Sequence, residues 1–140
     1  MIYRRLSMIL LAGFAAACSQ QDKKPRLALS AVVGLWQSDT LRAADASARV
    51  YRLRMTGDGM AEFVSEFVGK ATTAERGTWD GADSLVRVVV RAEGTASRPT
   101  SILLAMRGKA LGLTQFDTTA WGPNGLTLYR TTSAPQTPAP

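Results

Sequence analysis

Along most of this 140-residue chain, apolar and polar positions alternate with the two-residue period of β-strands. The clearest case is Val86, Val88, Val90 and Ala92 interleaved with Leu85, Arg87, Val89 and Arg91, which gives one apolar face and one bearing arginines. Similar runs, broken by Gly, Asp and Pro, predict strands near 33–38, 49–56, 60–68, 74–79, 85–92, 100–106, 110–116 and 126–131. Eight short strands with frequent turn signals predict an all-β barrel or sandwich. Beyond the N-terminal segment no sustained helical period occurs, and only the Ala-rich stretch 41–48 tolerates a turn of helix.

Two of these strands can be registered from the residues. Thr56-Gly57-Asp58-Gly59 predicts a type I turn with Gly59 as a left-handed bulge residue. That turn sets Tyr51, Leu53 and Met55 opposite Ser65, Phe63 and Ala61 on the inner face. Arg52 and Arg54 then face outward, with Arg54 opposite Glu62 and Arg52 diagonal to Glu62 and Glu66. A slip of one residue would drive both arginines into the core. In the last strand Arg130 is in phase with Leu126 and Leu128, an odd place for a guanidinium unless something caps it. Trp36, in a Gly34-Leu35-Trp36 run at the other end of the domain, is the candidate partner. A Gly-x-Trp on the first strand with an inward arginine on the last looks like the barrel-closing pair of lipocalin-type folds, a structural cation–π contact. This favours a small antiparallel up-and-down barrel.

The first 17 residues read differently. Arg4 and Arg5 precede an apolar run, Leu6 to Ala17, too short to span a bilayer and ending in small residues before Cys18. This is an export signal. A cysteine directly after it resembles the acylation site of bacterial lipoproteins, with Ala15 where the usual box has leucine. The plain alternative is an ordinary secretory signal that happens to contain the chain's single thiol. The expected layout is a signal peptide at 1–17, a lipidated tether at 18–30, a barrel at 31–131 and a Pro-rich tail at 132–140. Ser19 fits outer-membrane sorting in that pattern.

Composition narrows the chemistry. No histidine is present, which removes Ser-His and Cys-His catalysis and the commonest zinc ligand. The formal charge of +6 falls to +4 once Arg4 and Arg5 leave with the signal, a mild basic bias with no call for nucleic acid. Glu62 and Glu66 share a strand face but lie about 13 Å apart, outside the spacing of paired-carboxylate hydrolysis. Met55 and Met60 point to opposite faces and cannot converge on Cu(I). Asp58, Asp80 and Asp83 lie among glycines and read as turn residues. Trp121, in the turn Trp121-Gly122-Pro123-Asn124-Gly125, is either tucked against the rim or an exposed contact. The chain is therefore expected to carry no catalytic residue, metal or cofactor beyond the lipid on Cys18.

Several stretches together resemble one family. They are Cys18, Val33-Gly34-Leu35-Trp36-Gln37, Tyr51 to Gly59, Phe67-Val68-Gly69-Lys70, Arg76-Gly77-Thr78-Trp79 and the closing Leu126-Thr127-Leu128-Tyr129-Arg130. The pattern resembles the N-terminal domain of NlpE-type outer-membrane lipoproteins, a lipocalin-like barrel linked to copper tolerance and envelope stress. The family's first loop carries Cys-Ala-Asp-Cys, whereas here the segment is Ala43-Ala44-Asp45-Ala46, so the copper or thiol chemistry of that loop does not carry over. The resemblance implies a monomeric, non-enzymatic module tethered at the periplasmic face of the outer membrane, working through an unidentified envelope protein in homeostasis or sensing. A carrier of a small apolar ligand is the main rival. An inhibitor of an exported hydrolase, using 41–48 or 117–125 as a protruding loop, is the third class.

Overall fold

The computed structural model describes residues 28–43, 46–94 and 96–132. Eight strands follow one another around a closed antiparallel barrel: β1 Gly34–Ser38, β2 Arg49–Met55, β3 Met60–Phe67, β4 Thr73–Ala82, β5 Leu85–Ala92, β6 Thr100–Arg107, β7 Ala110–Leu113 and β8 Thr127–Thr131. Each strand pairs with its neighbours in sequence, and β1 closes the sheet on β8. The fold is all-β and up-and-down, with two short helices, α1 Leu29–Val32 and α2 Thr118–Trp121. Residues Leu29 and Ser30, which the sequence places in the tether, form the first half of α1.

The alternation read from sequence is the barrel's inside–outside pattern. Trp36, Leu53, Met55, Phe63, Val86, Val88, Val90, Leu104, Leu111 and Leu128 are all buried in a single core. Leu53 pairs with Phe63 and Arg54 with Glu62, which is the registration expected from the hairpin. The turn is as anticipated: Gly59 has φ +84° and donates its N–H to the Thr56 carbonyl at 3.1 Å. The Asp58 carboxylate accepts from the Thr56 hydroxyl and from the Met60 N–H, and the Thr56 bond first, then the Met60 bond, holds its pKa below the usual carboxylate value.

The outer surface carries ion pairs. Arg52 meets Glu66 and donates to the Gln37 side chain, while Arg54 lies 3.9 Å from Glu62. Arg76 bridges Glu62 and Glu93 at 3.4 and 2.7 Å, and Glu93 first and Glu62 second raise its pKa. Exposed pairs of this kind contribute little and serve register more than stability. An apolar interior under a charged exterior is the reverse of a membrane-spanning barrel, whose outer band is apolar. Among the described residues no helix is long and apolar enough to cross a membrane.

Three expectations need correction. The segment 41–48 is not helical where it is described: Leu41 instead bridges to Arg49 with reciprocal backbone hydrogen bonds of 2.8 and 2.9 Å. Pairing with β2 satisfies backbone groups that one isolated helical turn would leave to water. Asp80 is a strand residue opposite Arg87, because β4 runs on to Ala82 and the turn falls at Asp83, whose φ is +56°. β7 stops at Leu113, short of residue 116, with the Thr114 N–H giving one last bond to the Leu103 carbonyl of β6.

Candidate functional site

The up-and-down course places connections alternately at the two barrel ends. At one end lie the hairpins β2–β3, β4–β5 and β6–β7, together with the entry through α1 and the exit after Thr131. At the other lie the longer connections β1–β2, β3–β4, β5–β6 and β7–β8.

The first end is closed by Trp36 and Arg130, brought together by direct pairing of β1 with β8. The Arg130 guanidinium carbon sits 4.7 Å from the centre of the Trp36 ring. Arg130 also donates to the Val33 carbonyl at 2.8 Å and to the Ala31 carbonyl, while the indole N–H donates to the Val32 carbonyl at 2.8 Å. Three successive carbonyls leaving α1 are thus satisfied by side chains, two of them by a cation at the negative end of the helix. Gly34 makes room for this. A Cβ there would stand 2.6 Å from Arg130 Nη1, and its φ of +140° suits glycine. The arrangement is structural: it seats α1 across the barrel end and buries Val32 completely.

The opposite mouth carries the polar chemistry. Trp121, at the end of α2, is half-buried and lies 5.3 Å from the Tyr51 ring and 6.3 Å from Phe63. Tyr51 stacks on Phe63 at 5.5 Å and meets Phe67 edge-on at 6.3 Å. Trp121 is therefore tucked inward, while Asp117 to Ala120, Pro123 and Asn124 of the same connection stay exposed. The Asp117 side chain caps α2 by accepting from the Thr119 N–H at 2.8 Å.

Arg49 sits among these rings. Its guanidinium is 5.6 Å from the Tyr51 centroid, and Nη2 reaches the Trp121 carbonyl at 3.5 Å. Its Nε is buried and has no hydrogen-bond partner. An unpaired buried N–H costs about 1–3 kcal/mol, so an acceptor supplied from outside would gain by meeting it. Beside it runs a cleft of about 340 Å³ lined by Ala48, Arg49, Val50, Glu66, Phe67 and Val68, with Val68 61% exposed. Arg49 was not among the sequence candidates. The signal for it existed, because Arg49 continues the inward phase of Tyr51, Leu53 and Met55 by one step.

Cys18 lies outside the described residues. Glu62 and Glu66 are engaged with arginines. Among the described residues, no three Cys, Asp or Glu side chains gather at a spacing that could hold a metal ion.

Neither a scan against protein-family models nor a search of the curated proteins finds a match. Among solved structures, the chain is similar to a lipoprotein, YedD, from Klebsiella pneumoniae subsp. pneumoniae MGH 78578. The two share 15% identity with a TM-score of 0.52, over 81% of each chain. At that identity the likeness is one of fold.

Proposed function

We propose that this chain is a lipid-anchored, non-enzymatic module at the periplasmic face of the outer membrane, acting through protein contacts in envelope homeostasis or surface sensing. The anchor rests on the signal-like segment ending at Cys18, on the NlpE-like stretches, and on a structural neighbour that is itself a lipoprotein. The contact surface is the mouth remote from the chain termini, and the single observation carrying it is the unpartnered Arg49 N–H beside the Phe67–Val68 cleft. A partner segment presenting a carbonyl or carboxylate and an apolar side chain would satisfy both. The core favours this over a hollow carrier, because Trp36, Leu53 and Phe63 are each at most 3% exposed within the barrel.

The test is crosslinking and pull-down from intact envelopes. Arg49→Met and Val68→Glu should each lose the captured protein while the melting temperature stays within a few degrees, since methionine keeps apolar packing against Tyr51, and a 3.5 Å bond to the Trp121 carbonyl and an exposed valine support little of the fold. Retention of the same partner by both variants would refute the mouth as the contact surface. For the anchor, Cys18→Ser should move the protein from the membrane fraction to the soluble periplasm, because multiple acyl chains provide stable attachment. An unacylated mature mass for the unsubstituted chain would overturn it.

A small-ligand carrier is the second reading, favoured by the size of the same cleft, about 340 Å³. There the ligand would sit on the rim rather than in the barrel.

A further inference from the structure

The closed end of the barrel combines exposed apolar side chains with a group of cations. Of the exposed large apolar side chains, Leu29 (58%), Met60 (49%) and Leu85 (38%) all lie here, on α1 and at the first positions of β3 and β5. Three cations stand on its β6–β8 side: Arg107 closing β6, Lys109 in the β6–β7 turn, and Arg130 near the end of β8. The acidic residues near this end, Asp58, Glu62, Asp80 and Asp83, lie on the β2–β3 and β4–β5 hairpins, where Arg54 and Arg87 stand opposite Glu62 and Asp80, so net positive charge is gathered on the β6–β8 side.

These features adjoin one another. Lys109 and Arg130 line a cleft of about 300 Å³ whose walls are Ala31, Trp36, Met106 and Gly108. The Met106 N–H donates to the Ser84 carbonyl at 2.9 Å, which draws the Leu85 hairpin against β6 beside that cleft. Leu29 precedes Ala31 by two residues on α1.

We infer that this end docks on an anionic phospholipid surface, with Leu29 and Leu85 entering the headgroup layer and Lys109, Arg107 and Arg130 meeting lipid phosphates. Apolar side chains ringed by cations are the pattern that binds at a membrane interface. The place of attachment argues for the same occupant. The described chain begins at this end with Ala28, and Cys18 stands ten residues earlier, so an acylated Cys18 holds the end within about 35 Å of the bilayer even at full stretch. At the millimolar effective concentration of such a tether, contacts too weak to bind a free protein suffice. The inference rests on the lipid-anchor reading for this concentration effect. It adds an orientation: the Arg49 mouth faces away from the membrane, toward partners.

The test uses the protein as isolated from membranes, reconstituted in phosphatidylcholine vesicles with or without about one-third phosphatidylglycerol. A fluorescent label is placed by Ser84→Cys, Leu85→Cys or, at the far mouth, Val68→Cys, and is quenched by a headgroup-borne nitroxide. All three positions are exposed, so the fold tolerates them. Quenching should be several-fold stronger at 84 and 85 than at 68 in anionic vesicles, and should fall at 0.5 M salt. On the Leu85→Cys background, Lys109→Gln should lower the docked-to-free ratio about fivefold, with Lys109→Arg restoring it. Equal, weak quenching at all three positions whatever the lipid charge would overturn the inference. So would quenching seen in native envelopes but not in protein-free vesicles, which would identify a protein partner instead. The mass of the same sample reads the anchor separately, and shows that Cys18 carries lipid rather than a second label: acylated protein without quenching at 84 and 85 would overturn docking and leave the anchor standing.

Discussion

Replacing Trp36 by alanine is expected to lower the unfolding free energy by about 3–5 kcal/mol. The indole is 1% exposed and its N–H is bonded to the Val32 carbonyl. Its removal leaves a cavity at the barrel end and an unsatisfied carbonyl, and it takes away the ring over which Arg130 lies. Arg130 then loses the surface that orients it toward Ala31 and Val33, so α1 loses its remaining fastenings. For a domain of about 100 residues such a loss corresponds to a drop in melting temperature of roughly 15–30 °C. Urea unfolding of the variant beside the unsubstituted protein, with m-values compared, measures it. A change below about 1 kcal/mol would mean that the closed end does not hold the barrel together.

Gly77→Ala should be of similar severity, about 3 kcal/mol or more, for the opposite reason. A Cβ at Gly77 would lie 1.9 Å from the Val89 carbonyl oxygen and 2.9 Å from the Val90 Cα. Those are backbone atoms of the paired strand β5, and they have no rotamer by which to move away. Strands approach this closely where a small barrel bends sharply, and glycine is the residue that permits it. Gly57→Ala is the matched control: its Cβ meets nothing within 4 Å, so the change should stay within about 0.5 kcal/mol. Thermal or urea unfolding of the two variants decides it, and equal stability would refute the close approach.

The YedD likeness is one of fold, in agreement with the closed eight-strand barrel, and function is argued separately from the side chains this barrel carries. That separation matters, since barrels of one shape serve unrelated functions. The Arg49 mouth and the basic closed end are the features from which function is argued, because both are particular to this chain's side chains.

What the sequence determined by itself was everything governed by strand period and local turn chemistry. The eight strands, the Leu53–Phe63 and Arg54–Glu62 register and the left-handed Gly59 follow from alternation and from one Thr-Gly-Asp-Gly turn, since a strand with one buried face has a single acceptable register. Tertiary structure alone decided how Trp121 is used, that Leu41 pairs with Arg49 of β2, and that β4 continues through Asp80. It alone decided that Arg49 keeps an unpaired N–H and that Leu29, Leu85 and Lys109 share one end. These depend on residues far apart in the chain meeting after the barrel closes. A periodic pattern records which way a side chain points, but not what it finds there.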